Sequence, residues 1–183
     1  MFLDRDGVLS IPEFRDGRSF APKFLDDFVL YEDAAEGVAV LKRAGFLVIV
    51  ATNQPDVGAG LVPRETVEAM HERLSKWTEI DDIEVSYETR EQDVGRRKPA
   101  PGMLLDAAKK WEIDLSASYM VGDRSSDVEC GFHAGCHSVF IDRHYSVEPI
   151  PEKQIATVSS LAEAVGVIVS HSGKSTPDAA RFI

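Results

Sequence analysis

Short apolar runs alternate along the chain with longer stretches in which apolar residues recur at helical spacing. The short runs predict strands, at residues 2–4, 46–51, 83–87, 119–122, 138–141 and 156–158. The longer stretches predict amphipathic helices, at residues 32–44, 63–77, 101–111, 126–134 and 160–167. Strands that alternate with helices are joined by crossover connections, which predicts a mostly parallel sheet.

This pattern predicts a Rossmann-like, three-layer α/β/α fold in a single domain over residues 1–169. Residues 9–27 are broken by proline and glycine, and they predict a loop or short hairpin that acts as a flap beside the sheet. No inserted segment reaches the roughly 50 residues of a small domain, so we expect no large cap domain. Residues 170–183 predict a loosely structured C-terminal tail.

The composition is that of an ordinary globular protein, with 44% hydrophobic and 28% charged residues. Acidic residues outnumber basic ones by 31 to 20, and the formal charge of −11 argues against binding to nucleic acid or to an anionic membrane. No apolar run approaches the ~20 residues of a membrane span, and no signal peptide precedes the first motif. We expect a cytoplasmic protein that is a monomer or a weak dimer.

Polar residues follow four of the predicted strands, at the positions where each strand ends. The carboxyl ends of parallel strands meet at one edge of a sheet, where α/β proteins place their chemistry. Alone, each residue has a simpler explanation, such as a turn cap, a solvated charge or a helix cap. Their joint occurrence in this order favours a shared site. The residues are Asp4, Asp6, Thr52, Asn53, Lys98, Asp123 and Asp127.

These side chains suit the hydrolysis of a small phosphorylated metabolite. Asp4 is the predicted nucleophile, which attacks phosphorus and becomes an aspartyl phosphate. Asp6 is the predicted acid and base, which protonates the leaving alcohol and later activates water. Thr52 and Lys98 are expected to bind the phosphoryl oxygens as charge spreads over them.

The same chemistry calls for a divalent cation, because a carboxylate nucleophile repels a phosphate dianion. We expect Mg²⁺ to be held by Asp4, by Asp123 and by a backbone carbonyl near Asp6. Asp127 is expected to orient the groups around the cation.

The residues lie in four motifs: FLDRDGV, VIVATNQ, RRKPAPGMLLDAA and SYMVGDRSSDVECG. These motifs resemble those of the haloacid-dehalogenase superfamily, and most closely its branch of heptose-bisphosphate and histidinol-phosphate phosphatases. The resemblance implies a sheet order of 5-4-1-2-3 and a sugar bisphosphate, such as D-glycero-D-manno-heptose 1,7-bisphosphate, as substrate. It also implies that Asn53 and Arg97 contact the substrate, with Arg97 holding a second phosphate.

The chain departs from this branch in one loop. Close relatives carry three cysteines and a histidine that bind zinc just before the Arg-Lys-Pro motif, whereas residues 86–96 contain neither residue type. We therefore expect no zinc, and the exact substrate stays open. Cys130, His133, Cys136 and His137 match no standard zinc spacing, so packing is the preferred interpretation for them.

Other functions remain as alternatives. A phosphatase of histidinol phosphate or of another small metabolite would use the same groups. A DNA 3′-phosphatase shares the superfamily motifs, although the charge of −11 opposes it. A signalling receiver domain also combines Mg²⁺ with a phospho-accepting aspartate, but that aspartate follows the third strand of a receiver, whereas Asp4 follows the first strand here.

Overall fold

The computed structural model describes residues 1–145 and 150–174 of the 183-residue chain. In chain order the strands are β1 (Phe2–Leu3), β2 (Glu13–Arg15), β3 (Arg18–Phe20), β4 (Ile49–Asn53), β5 (Asp82–Ser86), β6 (Tyr119–Gly122), β7 (His137–Ile141) and β8 (Ala156–Val158). The α-helices are α1 (Ala34–Arg43), α2 (Pro55–Gly58), α3 (Arg64–Trp77), α4 (Gly102–Trp111), α5 (Ser125–Ala134) and α6 (Leu161–Ser172).

Six of the strands form one parallel sheet in the order β5-β4-β1-β6-β7-β8. Counting only the strands of this sheet, the order reads 3-2-1-4-5-6. The predicted order 5-4-1-2-3 is therefore confirmed, and one further strand lies beside the fifth. Strand β1 is short but central, because it pairs with both β4 and β6.

The sheet is buried on both faces, as expected for parallel strands between helices. Successive side chains of a strand point to opposite faces. Phe2 and Ile49 pack in the layer that holds α4 and α5. Leu3 and Val50 pack in the layer that holds α1, α3 and α6. In the described residues, no helix is both long enough and apolar enough to cross a membrane.

The flap contains the short antiparallel hairpin β2–β3. Its turn is formed by Asp16 and Gly17, which both have positive φ, at 50° and 75°. An Asp-Gly pair in this conformation is the preferred two-residue hairpin turn. The predicted loop or hairpin at residues 9–27 is thus a hairpin flanked by irregular chain.

Strand β4 begins and ends later than its apolar run predicts. The amide of Phe46 still donates to Leu41 at the end of α1, and the amide of Val48 donates to the Asp81 carboxylate, so the first residues of the run lead into the sheet. As a result Thr52 and Asn53 lie inside the strand and pair with β5.

Helix α6 is longer than predicted. It continues to Ser172 and ends at Gly173, whose φ of 65° makes a left-handed cap. The prediction of a loose tail is wrong for residues 170–172, because the buried apolar stripe continues past Gly166 to Ile168 and no proline comes before Gly173. The rest of the predicted tail, at residues 175–183, lies outside the described residues.

Candidate active site

Lys98 joins three distant parts of the chain at the carboxyl edge of the sheet. Its Nζ lies 2.8 Å from Asp4 Oδ1 and 2.6 Å from Asp127 Oδ1. It also donates a hydrogen bond of 2.7 Å to the carbonyl of Ala51 in β4. All three charged side chains are buried. The structure therefore brings together Asp4, Lys98 and Asp127, which span more than a hundred positions of the sequence.

Asp123 completes the carboxylates at this edge. Carboxylate oxygens of Asp4, Asp123 and Asp127 all lie within 4.8 Å of one another. The close approach depends on Gly7, because a Cβ there would lie 1.9 Å from Asp123 Oδ2. Asp123 Oδ1 is buried and has no hydrogen-bond partner among the described residues. We call the group Asp4, Lys98, Asp123 and Asp127 the carboxylate end.

Charge is unbalanced at the carboxylate end. Burial raises the pKa of Asp4 to about 6. The charge of Asp127 raises this pKa further, and the charge of Lys98 offsets only part of the increase. Burial and the charges of Asp4 and Asp127 also raise the pKa of Asp123 well above its usual range. One lysine faces three carboxylates, and an oxygen of Asp123 is left unpaired. This donor set fits a hard divalent cation such as Mg²⁺.

Lys98 keeps its charge in this setting. Burial alone would lower the pKa of its ammonium, but the carboxylates of Asp127 and Asp4 outweigh burial and raise it. A permanently charged lysine suits the binding of phosphoryl oxygens.

Asp6 lies next to the carboxylate end but has a different environment. Its carboxylate accepts hydrogen bonds from Arg5, from Ser10 Oγ at 2.9 Å and from Gln54 Nε2 at 2.8 Å. Burial would raise its pKa, but the charge of Arg5 and these hydrogen bonds outweigh burial, so the pKa is lowered. In the free protein Asp6 is thus ionised and firmly oriented.

Arg5 is fully buried, which is unusual for an arginine. Its Nη2 pairs with Asp6 Oδ2 at 2.9 Å, and its Nη1 lies 3.2 Å from His71 Nε2 in α3. Its guanidinium also lies 5.4 Å from the centre of the Phe28 ring. Burial and the charge of Arg5 lower the pKa of His71 to about 4, so a neutral imidazole faces the guanidinium.

Thr52 and Asn53 contact the site in different ways. Thr52 is buried, lines the cavity and accepts a hydrogen bond of 2.9 Å from Gln54. Asn53 makes two hydrogen bonds of 3.0 Å to the backbone N–H and carbonyl of Lys98. Asn53 therefore positions the lysine segment, in addition to lining the cavity.

The carboxylate end opens into a polar cavity of about 1010 Å³. Arginines also line this cavity, and three of them come from the hairpin and from the loop before Lys98. We call Arg18, Arg90 and Arg97 the arginine end. Burial and the charges of Arg90 and Arg124 lower the pKa of the Arg97 guanidinium, which is the sign of crowded positive charge. An anionic group on the substrate would relieve that repulsion.

The loop before Lys98, at residues 87–97, is held by hydrogen bonds and ion pairs. Asp93 Oδ1 accepts bonds of 2.9 Å from the amides of Gly95 and Arg97. Arg96 pairs with Glu84 in β5 at 2.8 Å and with Asp106 in α4. These contacts connect the loop to the sheet and fix the backbone that carries Arg97.

Two residues of the cysteine and histidine group contact the segment after Lys98. Cys130 donates to the carbonyl of Ala100 at 3.3 Å, and His133 Nδ1 lies 3.1 Å from the carbonyl of Pro99. Among the described residues, neither of these two belongs to a metal-binding group, and the potential metal ligands that lie close enough together to share an ion are Asp4, Asp123 and Asp127.

Sequence reasoning missed several residues that touch the site. Gln54 directly follows Asn53 in the ATNQ motif, so its place at a strand end was a usable signal. Tyr145 follows β7, another strand that ends at this edge, and its hydroxyl donates to Asp123 Oδ2 at 2.6 Å. Arg5 gave no signal, because the middle residue of a DRD triplet is expected to face away from its neighbours.

Comparison with known proteins agrees with this geometry. The sequence model of the HAD-hydrolase-like family matches residues 95–164. The D-glycero-D-manno-heptose-1,7-bisphosphate 7-phosphatase of Chlorobaculum tepidum is 31% identical over 171 residues, which cover 84% of this chain and 83% of that protein. The D-glycero-beta-D-manno-heptose-1,7-bisphosphate 7-phosphatase of Pseudomonas aeruginosa is 34% identical over 161 residues, which cover 83% and 88%.

A solved structure shows the same likeness. The crystal structure of D,D-heptose 1,7-bisphosphate phosphatase from B. bronchiseptica, complexed with magnesium and phosphate, has a TM-score of 0.78 and 25% identity, covering 93% of this chain and 98% of that one. Together these relatives support a phosphatase over a receiver domain. The chain belongs to the haloacid-dehalogenase-like phosphatases, in the family of the heptose-bisphosphate phosphatases.

Proposed function

We propose that this protein is a Mg²⁺-dependent phosphatase that removes one phosphate from a sugar bisphosphate, with D-glycero-D-manno-heptose 1,7-bisphosphate as the first candidate. The observation that carries the proposal is the position of Lys98, within 2.8 Å of Asp4 Oδ1 and 2.6 Å of Asp127 Oδ1 at the closed end of a polar cavity. A buried lysine beside a predicted nucleophile is suited to hold the phosphoryl oxygens of a substrate.

In the first half of the reaction, an oxygen of Asp4 attacks phosphorus and forms an aspartyl phosphate. The bond between phosphorus and the sugar oxygen breaks, and Asp6 donates a proton to that oxygen. Thr52 and Lys98 hold the transferring oxygens while charge spreads over them.

In the second half, Asp6 takes a proton from water, and the resulting hydroxide attacks phosphorus. The bond between phosphorus and Asp4 breaks, and inorganic phosphate leaves. The lowered pKa of Asp6 in the free protein keeps this carboxyl ionised, which is the form that can accept a proton. The acidic role needs a higher pKa, which the negative charge of an incoming phosphate supplies.

A bound Mg²⁺ would be held by Asp4, Asp123 and the backbone carbonyl of Asp6, where it would offset the repulsion between carboxylate and phosphate. The unpaired Asp123 Oδ1 supports this assignment. Asp127 acts through Lys98, to which it is paired, and through its cap on the amide of Arg124 at the start of α5.

The arginine end supports a substrate with a second anionic group. Arg97 is half-buried and lines the cavity, and its neighbour Arg90 adds positive charge. Arg18 of the hairpin lines the same cavity. A sugar bisphosphate places one phosphate at the carboxylate end and the other here. Asn53 is expected to contact the sugar, because it lines the cavity and is hydrogen-bonded to the backbone of Lys98.

The test is the release of phosphate from three classes of substrate, with Mg²⁺ and with EDTA. We expect kcat/KM to be at least about tenfold higher for heptose 1,7-bisphosphate than for histidinol phosphate or a 3′-phosphorylated oligonucleotide, since a charged contact contributes about 1.5–3 kcal/mol. Assays of the α and β anomers would show which one is preferred. Turnover that persists in EDTA, or a preference for the oligonucleotide, would contradict the proposal.

The remaining features of the proposal follow from the sequence. We propose a cytoplasmic enzyme, a monomer or weak dimer, built as a single phosphohydrolase domain over residues 1–169. The formal charge of −11 supports a small-molecule substrate over nucleic acid.

A further inference from the structure

A short strap after β7 crosses the turn that carries the nucleophile. The strap is residues 142–145. Arg143 Nε donates to the carbonyl of Gly7 at 2.8 Å, and Nη1 donates to the carbonyl of Ser159 at 3.1 Å. The guanidinium also lies 4.0 Å from the centre of the Tyr31 ring. The strap is thereby anchored on both sides of the DRDG turn.

The strap ends at the carboxylate end. Tyr145 is half-buried, and its hydroxyl donates to Asp123 Oδ2 at 2.6 Å. The same oxygen lies against Gly7, whose missing Cβ leaves the room that Oδ2 occupies. Oδ2 is therefore engaged, while Oδ1 has no partner among the described residues. A carboxylate held by one oxygen presents the other in a set direction.

Tyr145 also contacts the flap. Its ring stacks on Phe14 of β2, with centroids 5.8 Å apart and planes 25° from parallel. The residue after Asp123 makes a second connection, because Arg124 Nη2 donates to Ser19 Oγ in β3 at 2.7 Å. Both strands of the hairpin are therefore connected to the chain around Asp123.

We propose that Tyr145 is a positioning residue that orients Asp123 for Mg²⁺ and joins this ligand to the flap. The inference rests on the proposed function, since it assumes that Asp123 binds the cation. The hydroxyl holds the carboxylate against the repulsion of Asp4 and Asp127 before the ion arrives. Groups that orient metal ligands in this way typically affect metal affinity about 10–100-fold.

The central experiment compares Tyr145→Phe with Tyr119→Phe by calorimetric titration with MgCl₂ in the absence of substrate. Tyr119 is a matched control, because its hydroxyl also makes one hydrogen bond, of 2.8 Å to His171, but at the opposite end of β6 from Asp123. We expect Tyr145→Phe to weaken Mg²⁺ binding about tenfold or more and Tyr119→Phe to leave it unchanged.

Kinetics and the flap give two further readouts. At saturating Mg²⁺, kcat of Tyr145→Phe should recover to near the wild-type value, while the Mg²⁺ concentration for half-maximal rate should rise. Phe14→Leu should weaken Mg²⁺ binding by a smaller factor, because the hydroxyl of Tyr145 remains but its ring loses the stacking partner.

Three outcomes would overturn the inference. Mg²⁺ affinity equal to wild type in Tyr145→Phe would show that Asp123 needs no positioning by the hydroxyl. Equal weakening in Tyr145→Phe and Tyr119→Phe would show a general loss of stability. If either result is found while the wild-type protein hydrolyses the bisphosphate with Mg²⁺, the inference about Tyr145 fails and the proposed function stands. If the wild-type protein binds no Mg²⁺, both the inference and the proposed function fail.

Discussion

The carboxylate end and the arginine end of the cavity differ in burial and in the elements that carry their side chains. The carboxylate end consists of buried side chains at strand ends, at the start of α5 and in the loop before α4. Asp4, Lys98 and Asp127 are paired with charged neighbours, and Asp123 accepts a hydrogen bond from Tyr145. The arginine end consists of side chains from a hairpin and a loop, and it is more exposed. Because buried, paired groups hold their geometry and loop residues are readily exchanged, the first end suits the chemical step and the second suits the choice of substrate.

The sharpest test of this division is Asp4→Asn, which keeps the shape of the nucleophile and removes its charge. We expect phosphate release from the sugar bisphosphate to fall by at least about a thousandfold, since loss of a covalent nucleophile commonly costs more than that. The Tm should change little, because Lys98 keeps Asp127 as a partner. Asp114→Asn is the control, because Asp114 is an exposed carboxylate in the segment after α4 and does not line the cavity. Retention of a tenth of the activity would show that Asp4 is not the nucleophile.

The second test removes the positive charge of Lys98 from the same end. Lys98→Met leaves Asp4 and Asp127 buried without their common partner, which should lower the free energy of unfolding by about 3–5 kcal/mol in Mg²⁺-free buffer. In a domain of this size that is roughly 10 °C in Tm. The loss should shrink as the pH falls, because the carboxylates can then take up protons. Thermal scans at pH 8 and pH 6 measure both effects.

Lys110→Met is the control for this test. Lys110 is paired with Asp82 on the surface, so its loss should leave Tm unchanged within error. If Lys98→Met and Lys110→Met melt alike at pH 8, the carboxylate end is not held together by the lysine.

The carboxylate end could be predicted from the sequence because parallel topology leaves little freedom. Crossover connections bring the carboxyl ends of all strands of the parallel sheet to the same edge. The residues at the carboxyl ends of β1, β4 and β6 therefore lie close together. Lys98 lies in a loop, but the hydrogen bonds from Asn53 to its backbone hold that loop against the end of β4. A rule about strand ends therefore reached most of the buried site.

The contacts between these residues could not be predicted from the sequence. Arg5 is buried because His71 and Phe28 converge on it from separate segments while the adjacent Asp6 pairs with it, and no local pattern predicts that convergence. Tyr145 reaches Asp123 only because the strap bends over Gly7. The arginine end depends on how the flap and the loop before Lys98 fold back, and loops follow no periodic rule.

The third prediction concerns the arginine end alone. Arg97→Ala should raise KM for a sugar bisphosphate about 10–100-fold, as expected for one charged hydrogen-bonded contact. KM for the matching monophosphate and the kcat for both substrates should stay within about threefold, since the chemistry lies at the other end. Steady-state kinetics with both substrates separate these effects.

Arg64→Ala is the control, because Arg64 pairs with Glu68 on the surface of α3 and does not line the cavity. An equal rise in KM for the monophosphate would mean that Arg97 binds the transferring phosphate, and the division between the two ends would then be wrong.

The prediction with the smallest effect concerns His71 in α3. It tests whether this imidazole is coupled to the buried Arg5–Asp6 pair beside the carboxylate end. The pKa of His71 is lowered to about 4 by burial and by Arg5, whereas an unfolded chain has a His pKa near 6.5. Between these values the unfolded state binds a proton that the folded state does not, so stability is lost as the pH falls. From pH 7 to pH 5 this should cost roughly 1–2 kcal/mol.

His71→Gln keeps an oxygen that can accept from Arg5 and removes the titration. Raised carboxylate pKa values at Asp4 and Asp123 act in the opposite direction, but they are common to both proteins and cancel in the comparison. Urea unfolding at pH 7 and pH 5 should therefore show a smaller acid loss for His71→Gln than for the wild type, while the exposed His144→Gln behaves as wild type. Equal losses in all three proteins would mean that the imidazole accepts a proton in the folded state. The buried pair of Arg5 and Asp6 would then not be coupled to His71 in α3.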